Sequence, residues 1–247
     1  MYNQLLSKQN KNQALILSKF FKTNPGEYGE NDCFLGIKVP IIRDIVKSTP
    51  LMSIEQLEPL ISSKWHEVRM ASLFMLIRIF KNQFSKQKKR KDPEYNFQNP
   101  CLDFYLNHTQ YINNWDLVDL SCPTIIGEWL YYLKSQKQEI IPILKKLAKS
   151  NNMWEKRIAI VSTLYFVKHN DFEPTLEIIE ENLFHNHDLI HKANGWLLRE
   201  IGKKNLDIEE QFLKNNDLYK KLPRTTLRYA IEKFEETKRQ SYLKSTI

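Results

Sequence analysis

Small residues recur through this chain at a spacing that restricts its fold more than any single motif does. Ala159, Ala193 and Ala230 each stand near the first turns of a helix-compatible stretch, at intervals of about 35 residues. Ala71 reads as an earlier copy, and the stretch opening at Trp115 occupies the slot between. The stretches carrying the alanines are WHEVRMASLFMLIRIFKNQF (65–84), MWEKRIAIVSTLYFVK (153–168), LIHKANGWLLREIGK (189–203) and TTLRYAIEKFEE (225–236). A shorter amphipathic segment precedes each long one, as DFEPTLEIIEENL (171–183) does. One helix pair cannot bury its apolar face alone, so neighbouring pairs must stack and share a core.

With only 6 Gly and 10 Pro in 247 residues, the chain has no Gly-rich phosphate loop and no regular series of alternating strands. The expectation is an all-α HEAT/armadillo-like helical-repeat solenoid, one domain over residues 1–247. Further helices are expected over 2–22, after Pro40 in IIRDIVK, in SIEQLEPLISS (53–63), and near 95–110, 115–134 and 137–149. Such a stack curves, and the second helix of each pair lines its concave face. Trp115, Trp154 and Trp196 all fall in, or at the start of, those second helices.

The net charge is +8, which favours a polyanion as partner, nucleic acid or an anionic membrane. An aromatic content of 12% interleaved with basic residues suits a groove that grips phosphates and packs on sugars or bases. The basic run KQKKRK (86–91) fits a solvated inter-helix loop or a non-specific phosphate contact. Cys33, Cys101 and Cys122 are odd in number and widely spaced. They form neither a disulfide framework nor a zinc motif, and a reducing, cytoplasmic setting fits. No apolar run approaches the roughly 20 residues of a membrane span, and the N-terminus lacks a signal-peptide core.

The densest chemistry lies in NNWDLVDLSCP (113–123). Trp115 and Asp119 are four apart, which puts them on one helix face. An aromatic slab beside a carboxylate grips a cation well and makes a poor core pair, because an unpartnered ionised Asp is costly to bury. The competing reading makes Trp115 core and gives Asp116 or Asp119 a helix-capping role. Arg157 follows Trp154 by three and Arg199 follows Trp196 by three. Either these pairs face a shared groove, where Arg recognises phosphate through its planar fork, or the tryptophans are core and the arginines pair with Glu155 and Glu200.

Five strings taken together resemble the DNA alkylation-repair enzymes of the AlkD type: FLGIKVPIIR (34–43), NNWDLVDLSCPTIIG (113–127), WEKRIAIVSTLYFVK (154–168), HDLIHKANGWLLREIGK (187–203) and PRTTLRYAIEKF (223–234). The resemblance runs from about residue 15 to 240. It implies a HEAT-like solenoid that hydrolyses the N-glycosidic bond of N3- and N7-alkylated purines in duplex DNA. It implies a monomer without cofactor or metal, and a lesion recognised without being flipped into a pocket. The family's essential Trp and Asp fall on Trp115 and Asp119, its DNA-facing Arg on Arg157, its second essential Trp on Trp196, and the Arg of that string on Arg199.

Other candidates carry less. His185, His187 and His191 offer an i,i+4 pair for zinc but lack a placed carboxylate or Cys partner. Cys122 follows Asp119 by three and suits a small core thiol. Tyr28 sits in a loop before FLGI, where a DNA contact is one reading. Two rivals to the glycosylase stand: a helical-repeat module that grips distorted or branched DNA without cleaving it, and a protein-interaction scaffold. Retention of Asp119 with both tryptophans argues against the first. The positive charge argues against the second.

Overall fold

The computed structural model describes residues 1–89 and 99–247, with the backbone alone at 86–89. The basic run 86–91 and the first residues of the helix expected near 95–110 lie wholly or partly outside what is described. Among the described residues the only regular elements are helices, joined by turns and loops; there is no strand, only one isolated bridge between Cys33 and Trp65. The chain divides into two compact units, 1–121 and 122–247.

The first unit contains α1 (Tyr2–Leu6), α2 (Lys11–Phe20), α3 (Val39–Ser48), α4 (Glu58–Ile61), α5 (His66–Lys89), α6 (Pro100–Asn107) and α7 (Trp115–Cys122), whose last residue opens the second unit. Every residue of α5 from His66 to Leu76 is buried, so this helix is the axis of the unit's core. Ile42, Val46, Leu57 and Ile61 are buried with it, contributed by α3, α4 and the turn before α4. The single helix expected over 2–22 is two helices. Asn10 explains the break: its backbone N–H donates to the Leu35 carbonyl at 2.9 Å, and its side chain accepts from Gln13 N at 3.0 Å to cap α2. In contrast to α5, α2 contains no buried residue.

The second unit continues with a π-helical turn (Pro123–Gly127), then α8 (Glu128–Ser135), α9 (Ile141–Ala148), α10 (Met153–Ser162), α11 (Leu164–Lys168), α12 (Glu173–Glu180), α13 (Asp188–Lys204), α14 (Leu206–Lys214), α15 (Leu218–Lys221), α16 (Arg224–Ala230) and α17 (Glu236–Lys244). The helix expected over 115–134 is interrupted at Pro123, which has no N–H to give. The one expected over 153–168 breaks at Thr163, where Ser162 and Thr163 hydroxyls donate back to the Ala159 and Ile160 carbonyls. α13 packs closely on α16 because Gly195 stands at the crossing. A Cβ there would lie 2.4 Å from the Thr226 carbonyl oxygen and 2.5 Å from the Tyr229 Cβ. An all-helical chain built of successive short pairs is consistent with a helical-repeat fold.

Candidate active site

The site in the first unit is built on the polar start of an apolar helix. Within WHEVR, His66, Glu67 and Arg69 are all buried. Buried ionisable groups require partners, and each has them. The Glu67 carboxylate accepts the backbone N–H groups of Leu35, Gly36 and Ile37 at 2.8, 2.7 and 3.1 Å. This fixes the FLGI segment against α5. Gly36 has φ +82°, and a Cβ on it would lie 2.1 Å from the Asn10 carbonyl oxygen, so the turn admits only glycine without rearrangement.

His66 bridges two carboxylates. Its Nδ1 lies 2.7 Å from Asp32 Oδ2 and its Nε2 lies 2.9 Å from Asp116 Oδ2. The ring stacks on Phe34 at 4.6 Å and lies tilted on Phe21 at 5.1 Å. Burial works to lower the imidazole's affinity for a proton, but the charges and hydrogen bonds of Asp116 and Asp32 outweigh it and push the group up to about 9. His66 is therefore an imidazolium at neutral pH. Arg69 gives Asp32 Oδ1 a second cation at 2.7 Å and also donates to the carbonyls of Ser63, Lys64 and Tyr111. Burial acts to raise Asp32, yet His66 and Arg69 hold it below the ordinary carboxylate value.

This network grips NNWD residue by residue. Arg69 donates to Asn113 Oδ1 at 3.2 Å. Asn114 donates to Asp32 Oδ2 at 3.4 Å and accepts the Trp115 N–H at 2.9 Å. Asp116 takes the Leu117 N–H on one oxygen and His66 on the other. The turn that carries Trp115 and Asp119 is thus tied to α5 and to the loop at Asp32. Trp115 is half-buried, stacked on Phe21 at 5.5 Å and edge-on to Phe20 at 6.1 Å. Trp115, Asp116 and Asp119 line a cavity of about 640 Å³ with His66, Phe20 and Phe34. The arrangement places carboxylate charge and aromatic faces around one space, a setting that attracts a cation.

In the second unit Trp196 is half-buried on α13, with its Nε1 donating to Glu200 Oε1 at 3.2 Å. Arg199 forms an ion pair with Glu232 and lies 3.8 Å from Glu200. Arg157 is buried, and its guanidinium donates to the Leu189 carbonyl at 2.5 Å, holding the first turn of α13. Trp154 is buried beside it on α10. The three histidines serve the chain locally: His187 Nδ1 accepts the Leu189 N–H as the cap of α13, and His191 Nε2 meets the His185 carbonyl. Among the described residues, no group of three or more His, Cys, Asp or Glu side chains is placed to hold a metal ion. Cys122 is buried. Tyr28 lies under the Lys22 ammonium at 5.9 Å.

Sequence reasoning missed Asp32, His66, Glu67 and Arg69. The available signal was WHEVR itself, a cluster of charges opening an otherwise apolar helix.

Among the described residues, no helix is long and apolar enough to cross a membrane. A search of curated proteins finds no match. Among solved structures, the chain is similar to a protein described as a predicted DNA alkylation repair enzyme from Enterococcus faecalis, with 17% identity, 93% of this chain and 98% of that chain covered, and a TM-score of 0.67. At that identity the likeness speaks for the fold. The family model described as DNA alkylation repair enzyme matches residues 1–234. By that match, which spans nearly the whole sequence, the chain belongs to the DNA alkylation repair enzyme family.

Proposed function

We propose that the protein is a monofunctional DNA glycosylase of base excision repair. In this reading it is a hydrolase that releases cationic N3- and N7-alkylated purines from duplex DNA, working as a monomer without cofactor or metal. The observation that carries the reading is the pairing of Asp119 with Trp115 on one cavity wall, in a family of DNA alkylation repair enzymes. Alkylation at N3 or N7 gives the purine a positive charge, so the base leaves without protonation. Breaking the C1′–N bond then builds oxocarbenium character on the deoxyribose. Asp119 stabilises that charge and orients the attacking water. A carboxylate about 4 Å from a unit charge contributes roughly 4 kcal/mol at an effective dielectric near 20, about a thousandfold in rate. Trp115 and Trp196 pack on the nucleotide and its sugar. Arg199 exchanges Glu232 for a DNA phosphate, and Arg157 adds positive charge from beneath the surface, both as parts of a concave, basic HEAT-like groove. Neutral lesions such as hypoxanthine, which need an acid to leave, persist.

The test is single-turnover release from a duplex carrying one 7-methylguanine. Asp119→Asn keeps the shape and removes the charge, so excision falls by roughly a hundredfold or more while DNA affinity holds or rises. Near-normal excision by the variant sinks the assignment.

In the primary reading the lesion stays stacked, since a cationic leaving group needs no base-reading pocket. The cavity beside Asp119 favours a second reading, in which the purine turns out of the helix toward Phe20, Phe34 and Trp115. A 2-aminopurine placed next to the lesion distinguishes them. Its fluorescence stays quenched on binding if the base remains stacked, and rises severalfold if the base is extruded.

A further inference from the structure

We propose that His66 is a positioning residue for base excision: clamped between Asp32 and Asp116, it fixes the first turn of α7 and so places Trp115 and Asp119. The inference rests on the catalytic reading of Asp119 given above. Its geometry is independent of that reading. Asp116 adjoins Trp115 and precedes Asp119 by three residues, so whatever holds Asp116 sets the orientation of both. The ring has little freedom of its own, being bonded at both nitrogens and stacked on Phe34.

The clamp needs a proton on each nitrogen. A neutral imidazole donates from one nitrogen only, and the other would turn a lone pair toward a carboxylate. The charged groups around the ring come from every element packed on it. Asp32 arrives from the loop, Asp116 and Asp119 from α7, Glu67 and Arg69 from its own helix, and Lys38 and Arg43 line the same cavity from α3 and its cap. The carboxylates in contact with the ring prevail, and His66 keeps its proton up to about pH 9. Because the value lies above the ordinary 6.5, the clamp's contribution to stability is full below 6.5, and the clamp itself is lost as pH rises through about 9. Loss frees Asp116 first, since Asp32 retains Arg69 as a second partner.

Three measurements test this together, on the wild type and His66→Gln. They are the single-turnover release of 7-methylguanine, the affinity for the same duplex, and amide hydrogen exchange at Leu117, Val118 and Asp119. We expect His66→Gln to lose about tenfold to a hundredfold in rate with affinity changed by less than about twofold. The three amides exchange faster, and those of α13 do not. The ratio of wild-type to variant rates falls above about pH 9, and the substrate's own ionisation cancels in that ratio. Adding Asp116→Asn to His66→Gln restores a neutral hydrogen bond between the two side chains and recovers part of the rate, which a general loss of stability would not. A ratio flat with pH, or unchanged exchange in α7, overturns the proposal. If the wild type releases no base, the glycosylase reading fails while the exchange measurement still decides the clamp. If His66→Gln does not fold, the wild type alone decides. The protection of the α7 amides, exchange taken relative to the intrinsic base-catalysed rate, must fall as pH passes about 9 while that of α13 holds. Protection in α7 that does not change across that range overturns the clamp.

Discussion

His66 in the first unit and Glu209 in the second are both buried ionisable side chains, and both hold a proton at neutral pH for opposite reasons. His66 is held charged because two carboxylates bracket it. Glu209, on α14, is held neutral: burial, then the charge of Glu210, pushes it up to about 9 against the opposing pull of Arg199. Its Oε1 has no hydrogen-bond partner among the described residues, and its other oxygen packs against α13, where a Cβ on Gly202 would lie 1.6 Å away. The difference shows two ways to bury a titratable group. One supplies partners and keeps the charge. The other discards the charge because partners are too few. Only the first leaves an oriented electrostatic framework beside the cavity.

The comparison breaks most sharply at Asp32. Asp32→Asn removes the anion shared by His66 and Arg69, and an amide cannot accept from both with the same strength. Two buried cations are left short of charge, a situation that costs about 3 kcal/mol or more. We expect the denaturant midpoint to fall accordingly near pH 7. The same residue predicts behaviour in acid. Its carboxyl is held below 3.8, so its contribution is present above that value and is lost as pH falls through the lower folded one. A variant as stable as wild type would mean that His66 and Arg69 do not depend on Asp32.

The fold was largely legible because recurrent alanines and 3.6-residue periodicity report directly on stacked helices. Breaks were less legible. Asn10 ends the first helical stretch through a bond to Leu35, a partner 25 residues away that no local pattern reveals. Trp115 and Asp119 were legible from their four-residue spacing, and they do line one cavity. The network behind them was not, because Asp32, His66 and Asn114 meet only once the chain has folded. Arg157 and Arg199 were legible as positions, but not in their partners: a carbonyl on the next long helix for one and Glu232 for the other.

Glu209→Gln sharpens the comparison with an effect of opposite sign that grows with pH. A glutamate raised from 4.5 to about 9 binds a proton in the fold that the unfolded chain has released, so it weakens the fold progressively as pH climbs between those values. Glutamine has nearly the same shape and nothing to titrate. At about pH 5 the variant and wild type should agree within about 1 kcal/mol. At about pH 8 the variant should be more stable by about 4 kcal/mol or more. His66 adds its own alkaline loss to both proteins, since its raised value also makes stability fall between 6.5 and about 9. That background cancels in the difference between the two curves, which therefore isolates Glu209. Urea midpoints at the two pH values suffice to measure it. Equal stability at about pH 8 would mean that Glu209 is ionised in the fold after all, with Arg199 as its counter-ion, and the two buried groups would then be alike.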